Sequence, residues 1–246
     1  MSHHIVEAEN LRYSYPDGTA ALEGISLRIE HGESVALVGE NGAGKSTLLR
    51  HFTGCIFPAA GTLKIGGLPV EKENLSEVRR AVGMVFQNPD DQLFMPTVFE
   101  DVAFGLLNMG VPEAELEVKV MGALATVGAA HLRARPPYRL SQGEKRAVAI
   151  AGVLAMEPDI LVMDEPTSNL DPKSRRRLIQ LLKTFSHTKI IATHDLDFAF
   201  EVCGRALVIH KGRISGDGPM NVVFNDAELL ERSNLERPPS AAACRD

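Results

Sequence analysis

The most constraining feature of this chain is a glycine-rich loop between a short apolar strand and a helix. The strand is predicted at residues 34–38, and a helical pattern runs from Lys45 to about Phe52. Residues 39–46 fit the pattern G-x-x-x-x-G-K-[ST]. Glycines allow successive backbone N–H groups to curve around an anion, and the helix N-terminus adds partial positive charge. The sequence therefore predicts an α/β protein with a phosphate-binding loop.

Several residues of this loop are suited to contact a nucleotide and Mg²⁺. Lys45 can reach the β- and γ-phosphates, and the Ser46 hydroxyl can bind Mg²⁺. A glycine-rich turn without a ligand is the alternative, but the strand, the lysine and the hydroxyl together disfavour it. The predicted nucleotide-binding residues of the loop are Gly39, Glu40, Asn41, Gly42, Ala43, Gly44, Lys45, Ser46 and Thr47.

Two carboxylates follow a second apolar strand, which is predicted at Ile160–Met163. Asp164 ends this strand and is suited to hold Mg²⁺ through water. If the strand continues, the side chain of Glu165 projects to the opposite side, where it can orient and polarise a water near the γ-phosphate. A pair of acidic capping residues at a strand end is the alternative.

Two further polar residues come after predicted strands. His194 follows the apolar run at 189–193, and Gln87 follows the run at 82–86. His194 can hydrogen-bond the γ-phosphate or the attacking water, while Gln87 can contact Mg²⁺ or water from the side. Taken alone, they are a structural histidine and a surface glutamine; the position of His194 after a buried strand favours the functional interpretation. The predicted catalytic residues are Glu165, His194 and Lys45, and the predicted Mg²⁺ ligands are Ser46, Gln87 and Asp164.

The order of the elements indicates the fold class. Two alternating segments, Ile5–Tyr15 and Leu22–Ile29, flank the turn Pro16-Asp17-Gly18 and predict a hairpin. Strands then alternate with helices, which predicts a right-handed, mostly parallel sheet. The helical pattern of residues 88–156 forms an insert in the middle of the chain. Asp195 is expected to cap a later helix, which Gly204 can end.

Composition narrows the class of protein further. The chain has 26 basic and 32 acidic residues, a net charge of −6, and this disfavours general nucleic-acid binding. Its three cysteines are odd in number and far apart, so we expect a reducing compartment rather than disulfides or a zinc site. The N-terminus is polar, so we expect no secretory signal, and no apolar run approaches the roughly 20 residues that span a bilayer. Any membrane function is therefore expected to need a partner.

The stretch Leu140–Glu144, LSQGE, completes a set of motifs that resembles the ATP-binding subunits of ABC transporters. In chain order, the set comprises an aromatic A-loop, Walker A, Q-loop, signature, Walker B with its glutamate, D-loop and switch histidine, and it covers about Ile5–Pro239. Within this family, residues 85–94 (VFQNPDDQLF) are similar to the energy-coupling-factor (ECF) branch, cobalt/nickel type, the CbiO-like subunits. Residues 15–19, 96–98, 100–105 and 234–236 agree with that branch.

The resemblance implies the fold and its domains. The expected fold is that of a P-loop NTPase: an ABC ATPase domain with a mostly parallel core sheet, an N-terminal antiparallel β subdomain and an inserted α-helical subdomain. The ATP-binding domain is expected at residues 1–230, with the helical subdomain at about 89–157 inserted in a RecA-like core. Residues 231–246 are expected to form a C-terminal tail. We expect this tail to be extended or loose from residue 233 onward, because that part is rich in Pro, Ala and charged residues.

The resemblance also implies residue roles. Tyr15 is similar to the A-loop aromatic whose ring stacks on adenine; a turn-packing tyrosine is the alternative, and Tyr13 is a rival stacking residue. Asp171 is similar to the D-loop aspartate, in a loop that crosses the dimer interface in this family.

The signature has both a family role and a local one. In the family it binds the γ-phosphate of ATP held by the partner subunit, so two subunits must meet head to tail. Locally, Ser141-x-x-Glu144 is a capping box for the helical run that follows, and both roles can hold. Gln142 stands where the family usually has glycine, and its side chain can crowd the phosphate, whereas Gly143 is retained. The signature residues expected to act in trans are Ser141, Gln142, Gly143 and Glu144.

Taken together, the resemblance implies an ATPase motor with ATP and Mg²⁺ as cofactors. It would drive uptake of cobalt or nickel ions through a transmembrane coupling (T) component and a substrate-binding membrane component, with vitamin uptake as the alternative. A homodimer is expected, a heterodimer with a paralogue is possible in this branch, and the location is peripheral at the cytoplasmic face of the bacterial inner membrane. Nucleic acid is not an expected partner.

Other classes of protein with a phosphate loop fit the sequence less well. A DNA-repair or translation ABC protein would need a long coiled coil or a second cassette, and a small P-loop kinase would lack the signature. The adjacent His3 and His4 have poor geometry for a metal site.

Overall fold

The computed structural model describes residues 4–242 and places the glycine-rich loop between a strand and a helix, as predicted. The strands are β1 (His4–Ser14), β2 (Ala20–Glu30), β3 (Ser34–Val38), β4 (Ala60–Ile65), β5 (Leu68–Pro69), β6 (Val82–Val85), β7 (Ile160–Asp164), β8 (Thr188–Ala192), β9 (Arg205–His210) and β10 (Arg213–Pro219). The α-helices are α1 (Lys45–Phe52), α2 (Leu75–Ala81), α3 (Val98–Asn108), α4 (Glu113–Thr126), α5 (Gln142–Ala155), α6 (Pro172–Thr184), α7 (Leu196–Val202), α8 (Met220–Val223), α9 (Ala227–Arg232) and α10 (Pro239–Ala242). Short 3-10 helices lie at Lys72–Asn74, Pro89–Asp91, Ala130–Leu132 and Pro137–Arg139.

The main sheet determines where the functional segments meet. Its strand order is β10-β9-β3-β8-β7-β6, and all neighbours are parallel except β10, which pairs antiparallel with β9. All residues of β7 and β8 are buried, as their continuous apolar runs predicted. Because parallel strands have their carboxyl ends at one edge, the segments that follow β3, β6, β7 and β8 lie along the same edge.

A second, antiparallel sheet fixes the helix that follows the loop. Its order is β2-β1-β4-β5, and the predicted turn closes its first hairpin through a hydrogen bond from Tyr15 N to Thr19 O. Leu48 and Phe52 of α1 are fully buried in a cluster that also contains residues of both sheets. Burial of each such side chain contributes about 1.5–3 kcal/mol, so α1 is held firmly between the sheets.

The helical insert has its own core. Helices α3, α4 and α5 pack around a cluster that includes Val102, Val120 and Val148. On another face of α5, Ile150 and Val153 belong to the cluster that covers the main sheet. Helix α5 therefore belongs to both cores and connects the insert to the sheet. The two sheets and the helical insert confirm the predicted fold class.

The expectation of a loose C-terminus is wrong for residues 233–242. This segment ends in α10, where Ala241 is buried, and Leu235 packs against the same apolar cluster on the main sheet. The composition is polar and rich in proline, but two well-spaced apolar side chains are enough to hold the segment on that cluster. Residues 243–246 lie outside the described part of the chain.

Helix α7 begins as predicted and ends differently. Asp195 caps it by accepting a hydrogen bond from Phe198 N at 2.9 Å. The helix ends at Val202, and Cys203 follows with φ −110° and ψ 148°, an extended conformation. Gly204 is not left-handed, so the chain leaves the helix by extending directly toward β9 rather than through a glycine stop.

Candidate functional site

The glycine-rich loop lies against neighbouring backbone at both ends. A Cβ on Gly39 would lie 2.2 Å from Ile209 O, and a Cβ on Gly44, whose φ is 109°, would lie 2.5 Å from Ala21 O. A Cβ on Gly42, with φ 80°, would instead meet open space. The ends of the loop therefore need glycine for close approach, while its middle leaves room in front of the backbone N–H groups.

We expect Gly44→Ala to lower the free energy of unfolding by about 3 kcal/mol, since the new Cβ clashes with Ala21 O in a left-handed backbone. The matched variant Gly42→Ala carries the left-handed strain without the clash and should cost roughly 1 kcal/mol. Urea unfolding followed by circular dichroism measures both values. Equal losses in the two variants would contradict the steric explanation.

Lys45 is buried inside the curve of the loop. Its Nζ donates hydrogen bonds to Gly39 O at 2.8 Å and to Glu40 O at 3.1 Å. Burial lowers the pKa of Lys45, and the negative charges of Glu165 and Asp164 oppose that shift. The ammonium therefore stands between the loop carbonyls and both predicted carboxylates, a position from which it can donate to an anion in the loop.

Asp164 and Ser46 have the donor chemistry of a Mg²⁺ site. The Ser46 hydroxyl hydrogen-bonds the Asp164 carboxylate, and burial raises the pKa of that carboxyl group. Asp164 Oδ1 is buried without a hydrogen-bond partner in residues 4–242. An unsatisfied buried oxygen next to a hydroxyl fits a hard cation with oxygen ligands, so these residues fit Mg²⁺.

Glu165 and His194 form a contact across two strand ends. Glu165 Oε2 lies 2.8 Å from His194 Nδ1 and accepts hydrogen bonds from Thr193 Oγ1 at 3.2 Å and His194 N at 3.3 Å. The premise that the strand continues is wrong, because β7 ends at Asp164 and Glu165 has φ 45°. The turn, and not strand alternation, brings this carboxylate to the side of the histidine. Glu165 is buried, whereas the His194 side chain is 66% exposed.

The two candidate stacking tyrosines have different surroundings. The Tyr15 hydroxyl lies 2.9 Å from Thr47 Oγ1 in α1, directly after the loop. Tyr13 packs against the core and makes edge-to-face contacts with Tyr15 and with His51, at centroid distances of 5.2 and 5.0 Å. Tyr13 is thus engaged by the core, by His51 and by Tyr15, whereas Tyr15 is bonded to the start of α1 beside the loop.

The signature serine caps a helix, as its spacing predicted. Ser141 N and Oγ donate to Glu144 Oε2 at 2.8 and 2.9 Å, and Ser141 Oγ accepts a hydrogen bond from Glu144 N at 3.4 Å. These bonds hold the pKa of Glu144 below its ordinary value. Ser141 and Gln142 are exposed, so the helix N-terminus faces outward.

Gly143 lies against the segment of Asp171. Asp171 caps α6, accepts hydrogen bonds from the backbone of Lys173 and Ser174, and accepts a third from Ser174 Oγ at 2.6 Å. A Cβ on Gly143 would lie 2.5 Å from that same Oγ. A side chain at position 143 would therefore displace the Ser174 hydroxyl from its bond with Asp171, so the second glycine of the signature also serves the packing of α6 within one chain.

The segment around Gln87 depends on an arginine that sequence reasoning missed. Strand β6 ends at Val85, and Gln87 is exposed two residues later rather than at the strand end. Arg146 of α5 is 3% exposed and donates to Phe86 O and Gln87 O, both at 2.5 Å. The sequence does contain a signal for this contact, because Arg146 is a charged residue four positions before Ile150 on a helix face that is otherwise apolar.

The histidine pair considered for metal binding lies beyond what the structure describes: His3 is not described, nor is the side chain of His4. Within residues 4–242, no three or more His, Cys, Asp or Glu side chains are grouped to hold a metal ion.

The family model for the ABC transporter matches residues 22–168, which contain the loop, the signature and both carboxylates. The chain belongs to the ABC transporter family. It is 61% identical over 244 residues to a protein of Geobacter sulfurreducens described as an ABC transporter ATP-binding protein, covering 99% of this chain and 98% of that one. It is 47% identical over 240 residues to the energy-coupling factor transporter ATP-binding protein EcfA of Methanocaldococcus jannaschii, covering 96% and 86%.

Two solved structures have the same fold as this chain. CbiO1 of Clostridium perfringens, part of the ABC transporter complex CbiONQ, is 40% identical, has a TM-score of 0.83 and matches over 100% of both chains. An ATP-binding cassette solved as a dimer with ADP and Pi is 27% identical, has a TM-score of 0.79 and covers 87% of this chain and 98% of that chain. The predicted resemblance to ECF-type ABC ATPases is confirmed, and the protein is a transport ATPase that hydrolyses ATP and binds it with Mg²⁺.

No helix within the described range is both long enough and apolar enough to cross a membrane.

Proposed function

We propose that this ATPase is the motor subunit of an ECF-type importer that takes up cobalt or nickel ions through membrane partners. The observation that carries the proposal is that the chain contains both halves of a shared site. Lys45, Asp164 and Glu165 form one half at the sheet edge, and the exposed helix N-terminus at Ser141 is the other.

In the catalytic half, the residues have separate tasks. The loop N–H groups and Lys45 bind the phosphates, and Tyr15 stacks on adenine. Glu165 orients and polarises the attacking water, with His194 holding the carboxylate and reaching toward the γ-phosphate. Ser46, Asp164 and Gln87 would hold Mg²⁺, which neutralises charge that develops on the phosphates.

The second half acts in trans. The outward-facing N-terminus of α5, with Ser141 and Gly143, binds the γ-phosphate held by a partner subunit, and Asp171 lies beside it at the interface. The similar cassette solved as a dimer supports this arrangement. Because one chain has both halves, a homodimer is favoured over a heterodimer. Loss of the shared γ-phosphate removes the main attraction between the subunits, which then part.

An exposed apolar patch is suited to pass this motion to a membrane partner. We define it as Phe94, Phe104 and Leu107, which are 63%, 40% and 52% exposed. The two rings pack edge to face at 4.9 Å, and Leu107 follows Phe104 by one helical turn of α3. The patch lies just after the Gln87 segment in the chain, and Arg146 links that segment to the signature helix. A movement of the signature helix α5 can therefore be transmitted to the patch through Arg146 and the Gln87 segment.

We expect Phe94→Ser combined with Phe104→Ser to abolish copurification with the transmembrane coupling component while ATPase activity of the isolated chain stays within about twofold. Affinity purification from membranes, followed by mass spectrometry, measures the association. Val222→Ser, at a site 60% exposed on α8, is the matched control and should copurify normally. Normal copurification of the double variant would contradict the role of the patch.

The cobalt or nickel assignment is supported by similarity to CbiO1 of the CbiONQ complex and by the stretch at residues 85–94. Vitamin uptake remains the alternative. The test is to identify the substrate-binding component that copurifies or is encoded beside this gene, and then to measure uptake of radioactive cobalt and nickel by cells that express the set. A vitamin-binding component, with no ATP-dependent metal uptake, would overturn the assignment.

A further inference from the structure

The C-terminal segment, residues 233–242, is firmly anchored beside the catalytic half. Ser233 is fully buried, with its Oγ 3.1 Å from Ser215 Oγ. Arg237 donates to Ala241 O at 2.9 Å and also bonds Asn225. Because these bonds hold the segment in place, the segment can restrain the residues of other elements that it contacts.

Its first contact is with the phosphate loop. Asn234 Nδ2 donates to Glu40 Oε2 at 3.0 Å, and His210 Nδ1 lies 3.3 Å from the other carboxylate oxygen, Glu40 Oε1. Asn234 has φ 54°, a left-handed conformation that asparagine tolerates better than most residues. This conformation is thus compatible with a side chain directed at the loop.

The contact matters because of what holds Glu40 otherwise. The main-chain oxygen of Glu40 accepts hydrogen bonds from Lys45 Nζ at 3.1 Å and from Ala43 N at 3.2 Å. When Lys45 donates to phosphate oxygens, the bond from the lysine weakens, and the side-chain contact with Asn234 remains. Asn234 can therefore keep the loop in its binding shape while the lysine changes partners.

The second contact is with the helix that follows the switch histidine. Ser240 N donates to Asp197 Oδ1 at 2.9 Å, in the first turn of α7. Asp195, the cap of the same helix, is held from α6 by a bidentate bond with Arg175 at 3.1 and 3.2 Å. His194 directly precedes this cap, so restraining the first turn of α7 restrains the histidine.

We propose that the C-terminal segment is a brace that positions the phosphate loop through Asn234 and the switch histidine through Ser240. This inference rests on the roles proposed above for the loop and for His194. Asn234 and Asp197 are positioning residues, because they touch no reacting atom and act through Glu40 and through α7. The brace predicts that its two ends affect different steps: ATP binding at one end and turnover at the other.

The loop end is tested with Asn234→Ala, which should raise KM for ATP by about 5-fold and leave kcat within about twofold. Asn234→Asp should raise KM further by facing Glu40 with a like charge. The exchanged pair Glu40→Gln with Asn234→Asp restores an amide-to-carboxylate bond and should return KM most of the way. Asn221→Ala, at an exposed asparagine on α8, is the control and should change neither constant.

The switch end is tested with Asp197→Ala, which should lower kcat by about 5-fold with KM for ATP unchanged. Asp197→Asn keeps an oxygen acceptor for Ser240 N and should retain most activity. If Asn234→Ala and Asp197→Ala lower only the melting temperature, or shift the same kinetic constant, the brace is overturned. Such a result would leave the proposed catalytic roles intact, since those are tested separately by substitution of Glu165 and Lys45.

Discussion

Replacing Glu165 by glutamine is expected to reduce ATP hydrolysis by about 10²–10⁴-fold while ATP still induces dimerisation. Glutamine has nearly the same shape, so the hydrogen bonds from Thr193 Oγ1 and His194 N to its side-chain oxygen can persist. The amide cannot take a proton from water, and only the chemical step is lost. Phosphate release measures turnover, and light scattering with and without ATP measures the dimer.

The control for this variant is Glu77→Gln, at an exposed position of α2, which should hydrolyse ATP normally. Unchanged turnover in Glu165→Gln would refute the base assignment. Loss of both hydrolysis and dimerisation would show that Glu165 serves binding rather than the chemical step.

Replacing Lys45 by methionine is expected to weaken ATP binding by at least about 100-fold. Methionine keeps much of the buried side-chain volume but removes the ammonium whose positive charge opposes the negative charges of Asp164 and Glu165. Both carboxylates then face the incoming phosphates without an opposing charge from the loop. Isothermal titration with a non-hydrolysable ATP analogue measures the affinity.

Lys64→Met, at an exposed position of β4, is the matched control and should bind the analogue normally. Circular dichroism checks that Lys45→Met is folded, because α1 is held by apolar burial on both sides and does not depend on the lysine. Normal affinity in a folded Lys45→Met variant would contradict the proposed role of the lysine.

Much of the site could be predicted because its residues follow apolar strands directly. Gly39 directly follows β3, Asp164 ends β7 and His194 stands two residues after the end of β8, and parallel strands bring those ends to one edge. The conformation of Glu165 could not be predicted in this way. Alternation assumes that the strand continues, whereas the turn at φ 45° depends on Glu165 N bonding Ala192 O of the neighbouring strand at 2.8 Å.

The contacts that connect the site to the rest of the molecule were missed for a related reason. Arg146 bonds carbonyls about sixty positions earlier in the chain, and Asn234 bonds Glu40 across most of its length. In both contacts, the sequence around one residue gives no indication of the distant residue that it bonds. Likewise, the polar composition of residues 233–242 suggested a loose segment, although Leu235 and Ala241 pack on the main cluster.

The sequence by itself determined the elements, the phosphate loop, the acidic strand end and the capping box of α5, because each depends on side chains within a few positions of one another. Only the tertiary structure decided how Glu165 meets His194, which residues pack against Gly143 and where the C-terminal segment lies. Those features depend on contacts between distant parts of the chain, and such contacts exist only once the sheets and helices have packed.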